Sequence, residues 1–173
     1  ATSAAGMMYP KFRWGARDAA AHVPAGLVGA AAYLRTHAAV GDIFAAAGLS
    51  AAYAPFDVSM QLCALSGVPA YLSRPHAEMI KDGPRKRVAL ARLAAMHKVD
   101  AAPDYGQAMQ ALRALHVQWY LVADASGPRW DPARTRAAFS SGMVSLYAVA
   151  RRPSARALHD QMGVRKADQV VAH

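Results

Sequence analysis

The chain has one cysteine, Cys63, so no internal disulfide can form and the fold must hold itself by packing. Cys63 stands among Met60, Leu62 and Leu65, an apolar setting that predicts a buried, unreactive thiol. Long apolar runs are also missing. Crossing a bilayer takes about 20 uninterrupted apolar residues, and the nearest stretch, residues 23–34, is mostly Ala and Gly and ends at Arg35. No signal-peptide pattern opens the chain, and Ala1 rather than Met stands first, which predicts a processed product or an excised fragment.

Several kinds of chemistry lack their residues. After the first predicted strand comes Ala46-Ala47-Gly48-Leu49-Ser50, a single glycine where a dinucleotide fingerprint needs a spaced set. There is no Walker-type phosphate loop and no serine in a Gly-x-Ser-x-Gly elbow. The seven histidines are scattered at 22, 37, 76, 97, 116, 159 and 173, and none forms a helical His-x-x-x-His pair. No cofactor and no metal centre is therefore expected.

Acidic residues are scarce too, and here the sequence turns positive. Twenty Lys and Arg face eleven Asp and Glu, a net charge of +9, with Arg far ahead of Lys. Such an excess suits an anionic partner: a membrane surface, a nucleic acid or a phosphorylated ligand. An Ala- and Arg-rich composition also drifts basic with no partner at all. The 173 residues fit one domain and bury roughly two-thirds of the unfolded surface.

Periodicity gives the organisation. Residues 1–26 form a basic–aromatic arm, with Tyr9, Phe12 and Trp14 interleaved with Lys11 and Arg13. From Pro24 a helical pattern runs to Gly41, with Leu27, Ala31 and Leu34 on one face and Val28 and Ala32 beside it. Residues 42–46 read as a short strand. Asp57 is a good N-cap for a helix reaching Ser66, and Gly67 is its stop. Residues 68–73 read as a second strand, with Pro69 near its start, and residues 74–82 as a loop. Gly83-Pro84 and Pro103-Asp104 open two further helices. Residues 117–122 are the clearest strand, rich in aromatic and β-branched side chains. Asp131-Pro132 predicts a short helix to Ser140, and residues 143–149 a last strand returning antiparallel at an edge.

Strands separated by helices predict an α/β fold over residues 27–150, a small layered domain. Its sheet is expected to be mixed and mostly parallel, with about four strands flanked by helices. Residues 151–173 are a polar tail with a possible short helix over 154–162.

Three groups of residues are candidates for ligand or anion contact. Arg85, Lys86 and Arg87 fill the first turn of a helix, where cations oppose the macrodipole unless an anion docks nearby or the side chains splay into water. His76 shares a loop with Glu78, the closest pair of potential metal donors. Asp124 and Asp131 follow the best strand, where α/β proteins often place ligands, although a turn and a cap also account for them. No catalytic residue emerges.

Three segments resemble a known architecture in combination. They are Ala30-Ala31-Ala32-Tyr33-Leu34-Arg35-Thr36-His37 leading into Gly41-Asp42-Ile43-Phe44-Ala45, then Leu65-Ser66-Gly67-Val68-Pro69-Ala70-Tyr71-Leu72, then Leu112 through Val122 followed by residues 143–149. Together, over about residues 27–150, they resemble the soluble C-terminal domain of bacterial multi-span membrane proteins of the lipid-linked-sugar glycosyltransferase type. Tyr33 stands where that pattern has Trp, Val40 where it has Pro, and His116 where Gly is common. The resemblance implies a non-catalytic extracytoplasmic domain on the periplasmic side of the inner membrane, assisting or gating an enzyme whose catalytic acids lie in its membrane-embedded part. Its partners would be that embedded part, anionic lipid head groups or a lipid-linked phosphosugar. An independent binder of nucleic acid or of a phosphorylated ligand is the alternative, with nucleic acid the less favoured of the two.

Overall fold

The computed structural model describes residues 23–52, 57–80 and 82–149. The elements are α1 (Ala25–His37), β1 (Phe44–Ala46), α2 (Val58–Ser66), α3 (Pro75–Glu78), α4 (Pro84–Asp100), α5 (Tyr105–Ala114), β2 (Trp119–Ala123), β3 (Phe139–Ser141) and β4 (Val144–Ala148). Most helix ends follow from local chemistry. Asp57 accepts hydrogen bonds from Ser59 N and Met60 N at the start of α2, and Gly67 ends that helix in the left-handed conformation. Asp104 accepts from Gln107 N at the start of α5. No helix among the described residues is long and apolar enough to cross a membrane.

The four strands form one mixed sheet in the order β1-β2-β4-β3. β1 runs parallel to β2, with Phe44 opposite Trp119, whereas β4 runs antiparallel to both β2 and β3. Strand alternation then sorts the core. Phe44, Ala46, Trp119, Leu121, Val144 and Leu146 join one apolar cluster with Leu27 and Leu34 of α1 and Leu62 of α2. Ala45, Tyr120, Val122, Tyr147 and Val149 join a second with Met96 and Val99 of α4 and with Met109 and Leu112 of α5. Helices thus cover both faces, and each fully buried Leu contributes roughly 2 kcal/mol.

Helix α1 lies unusually close to the sheet edge. A Cβ built on Gly26 would stand 2.3 Å from Ser141 O, and one on Gly29 would stand 2.7 Å from the Phe139 ring. Gly26 lets the helix backbone approach β3 where any side chain would meet backbone, and Gly29 leaves room for the Phe139 ring. Leu27, Ala30, Ala31 and Leu34 are buried, while Val28 and Ala32 face solvent beside them.

Elsewhere the chain departs from the sequence pattern. The strand expected over residues 68–73 is a single parallel bridge, Ala70 to Phe44. Pro69 offers only its carbonyl, to Phe44 N, and the chain bends away after Tyr71 N has bonded Phe44 O. The loop expected over 74–82 contains α3, with Pro75 in its first turn. No helix follows Asp131. Arg134 adopts a left-handed φ of 56°, which breaks the turn, and Phe139–Ser141 pairs instead with β4 through a turn at Gly142. As a result β4 lies inside the sheet rather than at its edge. Cys63 is half-buried, not buried. Helix α1 stops at His37, short of Gly41, and it starts at Ala25, inside the span assigned to the arm. The rest of the arm, residues 1–22, and the tail from residue 151, with its possible helix, lie outside the described residues.

Candidate functional site

Parallel pairing of β1 and β2 sets their carboxyl ends side by side. From β1 the chain leads to α2, which packs on the first face, and from β2 to the loop carrying Trp130, which packs on the second. The two departures diverge and leave a crevice of about 440 Å³. Its walls include Gly48, Val58, Asp100, Tyr120, Val122, Asp124 and Pro128. Open α/β sheets place ligands at such a switch point.

Asp100, the last residue of α4, ties the crevice together. Its Oδ2 accepts from Gly48 N at 3.1 Å, and its Oδ1 accepts from the Tyr120 hydroxyl. One carboxylate thereby joins the loop after β1 to the middle of β2. Burial, and then the Asp100 charge, push the Tyr120 phenol well above its ordinary range. A phenol held that high keeps its proton at neutral pH and donates it to the Asp100 carboxylate.

Asp124 lines the crevice and is exposed. Its Oδ1 accepts from Ser126 Oγ at 2.7 Å and Ser126 N at 2.8 Å, and these bonds hold its carboxyl below the usual range. Asp131 is buried in the next turn. Burial raises its carboxyl, but bonds from Arg136 N, the Thr135 hydroxyl and Thr135 N outweigh that and hold it low. It caps a turn instead of the helix predicted for it. Arg134 clamps the same loops by donating to Gly142 O and Ala125 O.

Beneath the crevice lies an aromatic group. The Trp130 ring sits 4.8 Å from Tyr147, 5.6 Å from Tyr105 and 6.0 Å from Tyr120, centre to centre, and the Arg136 guanidinium lies 4.7 Å over Tyr105. Among the described residues, Trp130 Nε1 and the Tyr147 hydroxyl are buried with no partner at full hydrogen-bonding geometry, although the Asp131 carboxylate acts on the phenol. Burial and the nearby Asp131 charge raise the Tyr147 phenol.

The remaining sequence candidates lie elsewhere. Arg85, Lys86 and Arg87 do occupy the first turn of α4, which carries no acid and no side-chain cap. Lys86 is answered by Asp82 just upstream, in an ion pair of 2.6 Å that lowers the Asp82 carboxyl. Arg85 lines two adjoining grooves that also involve Glu78, whereas His76 lines neither. Among the described residues no three His, Cys, Asp or Glu side chains converge as a metal site. Sequence reasoning missed Asp100, Tyr120, Trp130 and Arg92. Asp100 had a faint signal as a lone acid ending an apolar-faced helix, but its partners stand 20 and 52 residues away.

Fold and crevice define a small α/β domain, helices on both sides of a mixed sheet, with a ligand-sized opening at its switch point. No protein-family model, no curated protein and no solved structure matches the chain.

Proposed function

We propose that this chain is a non-catalytic domain of a larger bacterial membrane protein, of the lipid-linked-sugar glycosyltransferase type. It works on the extracytoplasmic face of the inner membrane, where it assists or gates the embedded part of its parent. The observation that carries this reading is how the acids at the strand ends are used. Asp100 accepts from Gly48 N and the Tyr120 hydroxyl, and Asp124 and Asp131 accept from backbone and hydroxyl groups of their own turns. The carboxylates best placed for acid–base work thus serve to hold loops in place. A second observation supports the resemblance. His116, which stands where the resembled pattern has glycine, adopts a φ of 56°, the left-handed conformation glycine takes most easily.

The parent gene product provides the test. Expressed with an affinity tag, it is expected to fractionate with the inner membrane, and protease added to spheroplasts should cleave this domain. Apolar segments of about 20 residues should precede it. Recovery of the parent as a soluble protein without such segments would overturn the reading.

A further inference from the structure

On a chain of net charge +9, one described surface combines cations with exposed apolar side chains. It spans the first turns of α4 and the segment from Ala70 to Ile80. Two adjoining grooves of about 580 and 410 Å³ share Glu78, Pro84 and Arg85. Ile80, 76% exposed, lines the first, and Val88, 51% exposed, lines the second. Arg92 is held in place there. It donates to Tyr71 O at 2.7 Å and stacks over the Tyr71 ring at 4.9 Å, which leaves the rest of its guanidinium fork for a ligand.

We propose that this surface docks on an anionic lipid bilayer, with Arg85 and Arg92 against head-group phosphates and Ile80 and Val88 dipping among the upper acyl chains. The inference rests on the membrane reading above and names the part of the domain that meets the lipid. Charge complementarity selects the occupant. Three cations (Arg85, Lys86 and Arg92) stand here against Glu78 and Asp82, and Asp82 is engaged by Lys86. Apolar side chains set among cations suit a lipid interface, where both find a partner, better than the polar backbone of a nucleic acid.

The full chain is sedimented with phosphatidylcholine vesicles, with and without phosphatidylglycerol. Binding is expected only with the anionic lipid, weakening as salt rises. The double variant R85E/R92E should lower the partition coefficient at least about tenfold. I80S/V88S, which leaves charge unchanged, should lower it about fivefold. K98E/R129E reverses two exposed cations outside the patch and should change it by less than about twofold. Circular dichroism checks that each variant folds. An equal loss in K98E/R129E, no loss in R85E/R92E, or no binding by the unaltered chain would each overturn the proposal. So would binding to a DNA duplex that R85E/R92E abolishes while vesicles are ignored. A parent that still fractionates with the membrane would then leave the broader reading standing.

Discussion

On the face covered by α1 and α2, the sheet meets its helices mostly through hydrocarbon. Phe44, Ala46, Leu121 and Leu146 lie against Leu27, Leu34 and Leu62. Trp119 Nε1, a polar atom brought in by a large side chain, is taken by Asp42 at 3.0 Å. On the opposite face the same strands present Tyr120 and Tyr147 to Trp130, beside Asp100 and Asp131. The first face is stabilised by area and close packing, so its contacts depend on volume. The second also depends on where its polar atoms end. Among the described residues one phenol is satisfied by Asp100, while a second phenol and an indole lack a partner at full hydrogen-bonding geometry. The candidate crevice opens beside this second face, where shape and polarity are both still adjustable.

Mutations can break that contrast. The largest loss is expected on the hydrocarbon face. Leu27→Ala should cost about 2–5 kcal/mol in chemical denaturation, because a cavity is left under α1. A cost below about 1 kcal/mol would show that this face is loosely packed.

Alkaline titration addresses the other face. Tyr120 and Tyr147 have phenols raised in the folded state, so the native chain keeps protons that the unfolded chain gives up. Stability should therefore hold up to about pH 10, the ordinary phenol range, and fall above it. Near-ultraviolet tyrosinate absorbance should rise for these two residues only as the circular-dichroism signal collapses. Ordinary titration of all seven tyrosines with the fold intact would contradict the assignment.

Smaller differences separate the two phenols. Tyr120→Phe should cost about 1–2 kcal/mol, since Asp100 loses its donor. Tyr147→Phe removes a hydroxyl that has no fully formed hydrogen bond among the described residues and should change stability by no more than about 0.5 kcal/mol, in either direction. Equal costs in the same melts would erase the distinction between a satisfied and an orphaned phenol.

The features legible in the sequence are those decided within a few residues. Asp57, Gly67, Pro84 and Asp104 mark helix ends because caps and stops act over one turn. β2 and β4 stand out because fully buried strands collect aromatic and β-branched residues. The edges were harder. β3 is only Phe-Ser-Ser, and it becomes a strand because β4 lies beside it. Asp131 satisfied a local rule for a helix start, but the left-handed Arg134 and the hairpin competed for the same residues. At the candidate site, Asp124 could be placed from its position after β2. Asp100 could not, because what defines it is contact with Gly48 and Tyr120 across the fold.

The close seat of α1 on β3 also bears on which changes the chain can accept over generations. Gly26 and Gly29 carry no side chain, yet they leave the least room for replacement, since even a methyl group would meet Ser141 O or the Phe139 ring. Val28, between them, is half exposed and free to vary. Substitution along this helix should thus be tolerated in inverse order to side-chain prominence, with the bulky position drifting and the empty ones kept.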